Sequence, residues 1–131
     1  VEKEFISYTD YSHMMDELVK KISSSDCIKD IKSIYTFMRG GLPIAVHLSH
    51  FLKIEMHTDE ANHRLPLIPK ETLIVDDIAD TGKTLDGYQD LFPIATLFYK
   101  PRSIVKPTFY VKETSNWIVF PWEKIDEIPN R

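Results

Sequence analysis

The sequence is most restrictive in what it leaves out. Only one of its 131 residues is a cysteine, Cys27, so an internal disulfide is excluded and the chain suits a reducing compartment. No apolar stretch approaches the ~18 residues that a membrane-spanning helix needs. The charged start Val1-Glu2-Lys3-Glu4 is not followed by a signal-peptide core. A cytoplasmic protein with no membrane partner is expected. Positive charge is not in excess either: the formal net charge is −4, which argues against a nucleic-acid groove, since such a surface is basic. The histidines, among them His47, His50, His57 and His63, form no recognised ligand spacing with cysteine or a carboxylate, so no structural zinc site is expected. Internal repeats, low-complexity tracts and linkers are missing too. With 43% hydrophobic and 27% charged residues, residues 1–131 read as one globular domain.

What is present is concentrated in one stretch. Thr72 to Val75 reads as a buried strand that ends in two adjacent carboxylates, Asp76 and Asp77. Ile78, Ala79, Asp80, Thr81, Gly82 and Lys83 follow, and a helical pattern runs from about Thr84 to Leu91. This order puts polar side chains and free backbone N–H groups at the carboxyl end of a central strand, where open α/β sheets bind ligands. A loop entering a helix N-terminus also cradles phosphate. The matching ligand carries both a phosphate and hydroxyl groups, as a sugar phosphate does.

Three other readings compete. Gly82-Lys83-Thr84 is not the end of a P-loop, because Asp77 stands where that motif needs its first glycine. A phosphate-accepting receiver domain carries its acidic pair near the N-terminus, far from its lysine. Here 75 residues precede the pair and 22 separate it from Lys100. A solvated acidic turn would account for one pair of aspartates but not for the whole ordered string.

Other elements follow from spacing. Phe5–Tyr8 reads as a short strand, with Thr9 or Asp10 capping a helix whose apolar face is Tyr11, Met14, Met15, Leu18 and Ile22. Ser23 to Asp26 ends it. Ile34–Met38 is a strand, and Leu42-Pro43 opens a helix to about Leu52. Short strands are expected at Ile54–Met56, Thr108–Val111 and Trp117–Phe120, with a longer one at Ile94–Tyr99. The alternation predicts an α/β fold with a mainly parallel sheet flanked by helices. Between Ile34–Met38 and the second helix, Arg39-Gly40-Gly41 repeats the strand–loop–helix arrangement. Its glycines allow close ligand approach, and Arg39 can grip phosphate oxygens in two places.

The string Val75-Asp76-Asp77-Ile78-Ala79-Asp80-Thr81-Gly82-Lys83-Thr84-Leu85 resembles the signature of the type I phosphoribosyltransferases. Leu97-Phe98-Tyr99-Lys100-Pro101 and Asn116-Trp117-Ile118-Val119-Phe120-Pro121-Trp122-Glu123 resemble the base-binding half of their bacterial and archaeal 6-oxopurine (xanthine–guanine) members. The likeness covers about residues 33–123. It implies that family's fold, with a small hood from the terminal segments, and a homo-oligomer, dimer or tetramer. It also implies transfer of a phosphoribosyl group from phosphoribosyl pyrophosphate (PRPP), as Mg²⁺ complex, to guanine, xanthine or hypoxanthine.

Site roles follow from the same resemblance. Asp76 and Asp77 hold the ribose hydroxyls, Asp77 also serving the metal. Ile78 to Thr84 wrap the 5′-phosphate, and Asp80 is the general base. Met38, Arg39 and Gly40 hold pyrophosphate, and the family's cis peptide falls at Met38–Arg39. Lys100 donates to the purine O6, Trp117 stacks on the ring, and the Ile118 backbone reads the exocyclic edge. Trp122 is assigned to core packing. The family's mobile loop corresponds to about His57–Lys70, which is short here, with Arg64 as its phosphate contact and Lys70 behind it. Two alternatives stay open: a transferase for another base, and a regulator that binds PRPP or nucleotides without transfer.

Overall fold

The computed structural model describes residues 2–59 and 67–123. Strand β1 (Lys3–Phe5) leads through Ser7 into helix α1 (Tyr8–Ser23). A capping box starts this helix: the Asp10 N–H donates to Ser7 Oγ (3.0 Å) and the Ser7 N–H to Asp10 Oδ2 (3.3 Å). Asp10 is thus the third helical residue and Ser7 the cap, and the strand lies earlier than Phe5–Tyr8. Tyr11, Met15, Leu18 and Ile22 form the buried stripe of α1. A 3-10 turn, Asp26–Asp30, follows.

Strand β2 (Ser33–Thr36), helix α2 (Leu42–Leu52) and strand β3 (Glu55–Thr58) form a right-sized crossover unit, then β4 (Thr72–Val75) enters the middle of the sheet. Pro43 sits in the first turn of α2, and Lys53 closes it in the left-handed region at φ 57°. The remaining strands are β5 (Ile78–Ala79), β6 (Ile94–Ala95), β7 (Phe98–Tyr99), β8 (Lys112–Glu113) and β9 (Trp117–Val119). The central sheet has the order β3-β2-β4-β6, and all its pairs are parallel. All four residues of β4 are buried, which is what a parallel strand covered on both faces requires. A second parallel sheet, β5-β7-β8, extends from it, and the terminal strands β1 and β9 pair with each other.

The main core joins α1, α2 and the sheet through Leu18, Ile22, Ile34, Ile44, Leu48, Leu73, Phe98 and Phe120. A smaller cluster of Ile74, Leu85, Ile94 and Val105 lies under the acidic loop. None of the described helices is long and apolar enough to cross a membrane.

Three further sequence expectations change. Thr84–Leu91 is a string of turns and not a helix. Its N–H groups reach back three residues, as in Leu85 to Gly82 and Tyr88 to Leu85, and Gly87 at φ 97° breaks the path. Ile94–Tyr99 is not one strand, because β6 and β7 belong to different sheets. Between them Thr96 Oγ1 donates to the Phe98 carbonyl (2.8 Å), and the Leu97 N–H turns to the Asp77 carbonyl (3.1 Å). Thr108–Val111 is reduced to a single bridge, Ala95 to Phe109.

Glu4 ties the terminal strands to β8 and the turn after it. Its carboxylate accepts from Lys112 Nζ (2.6 Å) and Asn116 Nδ2 (3.1 Å). Burial pushes the Glu4 carboxyl up, but the hydrogen bonds from Lys112 and Asn116 and the Lys112 charge hold it below its ordinary value of 4.5. A carboxylate with a lowered folded-state pKa stabilises above its unfolded value and loses that contribution as the pH falls through the folded one. Replacing Glu4 with Gln should therefore lower stability at neutral pH by roughly 1 kcal/mol or less, given its partial exposure. Urea denaturation should show the gap to wild type narrowing as the pH drops below about 4.5.

Candidate functional site

Two strand ends build the site. In the parallel pair of β2 and β4, Thr36 lies opposite Val75, so the loops that follow leave the sheet at one edge. The Thr36 hydroxyl donates to the Val75 carbonyl (2.8 Å) and fixes that register where the strands end. After β2, the Met38–Arg39 peptide is cis, the place expected from the resemblance. The Met38 N–H donates to Asp59 Oδ1 (3.0 Å), and the Leu42 N–H to the Arg39 carbonyl (3.0 Å). These bonds hold the Arg39–Gly41 loop at both ends.

The loop presses on the acidic pair. A Cβ at Gly40 would stand 2.8 Å from Asp77 Oδ2, and one at Gly41 would stand 2.2 Å from Thr36 Oγ1 and 3.0 Å from the Val75 carbonyl. Only glycine permits this approach. Asp77 is itself buried, at 8% exposure. The Asp77 N–H donates to Asp76 Oδ1 and the Ile78 N–H to Asp77 Oδ1, each at 2.9 Å.

Asp76 and the run from Ile78 to Leu85 line one small concavity of about 60 Å³. Because 84–91 is not helical, no helix dipole points into it. Its anion-holding capacity rests on the loop itself. The N–H groups of Thr81, Gly82 and Thr84 have no hydrogen-bond partner among the described residues. Such a nest of N–H groups suits phosphate oxygens. Gly82 has φ 86°, and a Cβ there would meet the N atoms of Ile104 and Val105 at 2.9 and 2.8 Å.

The turn after β7 closes the third side. Lys100 donates its N–H to the Ala79 carbonyl (2.9 Å), and its ammonium lies 3.5 Å from Asp80 Oδ1 with 11% of the side chain exposed. Arg102 also reaches Asp80 Oδ1, through Nε at 2.9 Å and through Nη2. The sequence reading missed Arg102; the one available signal was its place just after Lys100-Pro101. Asp59 was also missed, having been read as part of a mobile loop.

Arg64 lies outside the described residues, as does half of the loop that would carry it. Lys70 is described, with φ 70° and its N–H on the Leu91 carbonyl (3.1 Å). Trp117 and Ile118 sit on β9. Ile118 is buried in the main core, and the Trp117 indole N–H is buried with no partner among the described residues. No hydrogen bond or ion pair among those residues joins either one to Lys100 or the acidic loop. Trp122 stacks on Phe120 with ring centroids 5.0 Å apart and meets Tyr11 edge-on.

The larger concavity, about 650 Å³, lies elsewhere, between α1 and α2, and is mainly apolar. None of the expected site residues lines it. Among the described residues no three His, Cys, Asp or Glu side chains cluster as a metal cage. Mg²⁺ needs no such cage: it keeps several waters and takes one or two carboxylates together with substrate phosphate oxygens. The adjacent carboxylates of Asp76 and Asp77 fit that donor set.

A purine phosphoribosyltransferase of known structure from Pyrococcus horikoshii Ot3 is 30% identical, superposes with a TM-score of 0.78 and covers 100% of both chains. The chain belongs to the type I phosphoribosyltransferase family. The xanthine-guanine-hypoxanthine phosphoribosyltransferase of Helicobacter pylori is similar as well, at 27% identity and a TM-score of 0.78 over 95% of this chain and 94% of that one. A xanthine-guanine phosphoribosyltransferase from Cereibacter sphaeroides is 43% identical over 56 residues, which span 39% of this chain and 34% of that protein. The match thus reaches about a third of that relative's length. A Neisseria gonorrhoeae protein with bound ppGpp shares the phosphoribosyltransferase fold at 21% identity, with a TM-score of 0.75 over 95% of this chain and 91% of that one. No family model matches the chain.

Two glycines separate backbone strain from crowding in this chain. Gly82 and Gly87 both have positive φ, but nothing lies within 4 Å of a Cβ at Gly87. Gly82→Ala should destabilise by about 2–4 kcal/mol, and Gly87→Ala by only about 1–2 kcal/mol. Equal losses in chemical denaturation would mean that the Ile104–Val105 backbone moves aside freely.

Proposed function

We propose that the protein is a purine phosphoribosyltransferase that joins a 6-oxopurine to PRPP, giving the nucleoside 5′-monophosphate and pyrophosphate. The observation that carries this reading is the contact of the Arg39–Gly41 loop with Asp77. It brings the Arg39–Gly41 loop against the acidic pair, which supports the reading because PRPP has a phosphate group at each end of a polyhydroxylated sugar.

In this reading Asp76 and Asp77 hold the ribose 2′- and 3′-hydroxyls. The N–H groups of the Ala79–Thr84 loop, with the Thr81 and Thr84 hydroxyls and Lys83, hold the 5′-phosphate. Met38, Arg39 and Gly40 hold the pyrophosphate, with Arg64 as a further contact. Mg²⁺, held by Asp77, would supply charge neutralisation for the pyrophosphate. Lys100 donates to the purine O6, Trp117 covers the ring and the Ile118 backbone meets its exocyclic edge.

The reaction breaks the C1′–O bond, and the electron pair leaves on pyrophosphate while positive charge builds on the ribose. The purine N9 lone pair forms the new bond to C1′, and the N7 proton passes to Asp80. Alignment of the incoming base and the leaving pyrophosphate on opposite faces of C1′ supplies much of the rate. An oxygen at position 6 accepts from the nearly buried Lys100, whereas the amino group of adenine offers that ammonium no acceptor.

A second reading, binding without transfer, has one observation in its favour: the Neisseria protein of this fold was solved with bound ppGpp. Incubation with PRPP, Mg²⁺ and single nucleobases separates the two. Nucleotide and pyrophosphate should form with guanine, xanthine or hypoxanthine and barely with adenine, uracil or orotate, the discrimination against adenine reaching at most on the order of 10⁴-fold. PRPP binding without any product would select the regulator, and adenine as best substrate would remove the 6-oxopurine assignment. Asp80→Asn should slow turnover by roughly 10²–10⁴-fold while PRPP still binds. Lys100→Ala should lower both the rate and the preference for an oxygen at position 6.

A further inference from the structure

Arg102 has no role in the reading above, and its geometry gives it one. The turn that carries it is stitched to the acidic loop on both sides. The Lys100 N–H donates to the Ala79 carbonyl, the Ser103 N–H to the Lys100 carbonyl and the Ile104 N–H to the Thr81 carbonyl, each at 2.9 Å. Ser103 Oγ donates to the Val105 carbonyl (2.6 Å), and the missing side chain of Gly82 lets this turn lie flat against the loop. The Arg102 backbone is therefore held in fixed relation to Asp80, although its side chain is 56% exposed.

The contact is one-sided. Arg102 Nε and Nη2, and Lys100 Nζ, all address Oδ1 of Asp80. Oδ2 has no hydrogen-bond partner among the described residues. The Asp80 side chain is 20% exposed, so this oxygen is neither stacked in the core nor open on every side. A freely rotating carboxylate would present either oxygen in many directions. Two cations on one oxygen select a single rotamer, and Arg102 does so with a planar fork that a lysine cannot match.

We propose that Arg102 is a positioning residue for proton transfer: by gripping Oδ1 it turns Oδ2 of Asp80 toward the N7 proton of the incoming purine. This rests on Asp80 being the general base. Lys100 then has freedom to leave Oδ1 for the purine O6, because Arg102 keeps the carboxylate aligned when it does. Chemistry and charge balance are unchanged; the proton goes from N7 to Oδ2 as the N9–C1′ bond forms.

The test uses the whole chain as Arg102→Met, Arg102→Lys, Asp80→Asn and the double variant Asp80→Asn/Arg102→Met. Steady-state kinetics with the best purine are combined with calorimetric titration of PRPP. Arg102→Met should lower kcat on the order of 10-fold, the scale of a loosened reacting group, with the PRPP affinity and melting temperature of wild type. Arg102→Lys should recover part of that loss. In the Asp80→Asn background, Arg102→Met should have no further effect, since the two residues act as one unit. A kcat for Arg102→Met equal to wild type, or the same fall in the Asp80→Asn background, would overturn the proposal while leaving Asp80 as base. Wild-type protein that turns over no purine would overturn both assignments together.

Discussion

The rest of the site depends on how closely a backbone can approach a buried carboxylate. Gly40 lies against Asp77, and Gly41 lies against the end of β4, at distances that no side chain would allow. The parallel register of β2 and β4 makes this contact possible by ending both strands at the same level. Without it there would be two unrelated loops, one basic and one acidic. With it, the Arg39–Gly41 loop and the acidic pair share a wall. The two glycines lie directly before α2, so the geometry of the loop and the start of the helix are determined together.

Charge is arranged by the same economy of space. Asp80 stands beside Lys100 and Arg102, while Asp76 and Asp77 are turned toward backbone N–H groups of their own loop. The carboxylates are thus held by different kinds of partner, and this sorts them chemically. Asp80 thus shares its charge between a nearly buried ammonium and the guanidinium of Arg102.

Much of this was legible from the chain because the chemistry is local. Asp76 to Thr84 occupy one continuous loop, and a buried strand before them suffices to predict where they lie. Arg39 and Gly40 were legible for the same reason, and Lys100 because it ends a strand. The failures have physical causes. Leu85, Tyr88 and Leu91 recur at three-residue spacing, which suits a helix or successive 3-10 turns, and the left-handed Gly87 decides for the turns. Ile94–Tyr99 reads as one strand because its apolar pattern is continuous, but the chain leaves one sheet for another at Thr96. Ser7 was hidden inside an apparent strand. For Arg102 the only signal was its place just after Lys100-Pro101, since its partner lies 22 residues away across a turn that folds back.

The pairing of β1 with β9 bears on how this molecule is made. Lys3 lies opposite Trp117 and Phe5 opposite Val119, so residues near one end of the described chain meet residues near the other. During synthesis from the ribosome, α1 and the β2–α2–β3 unit emerge complete while β1 still lacks its neighbour. Its unpaired N–H and C=O groups remain an open edge until the Trp117 region has cleared the exit tunnel. Closing so long a loop is slow compared with forming the local units. Strand β1, at three residues with charges at Lys3 and Glu4, is short and polar enough to pass that interval without finding another edge.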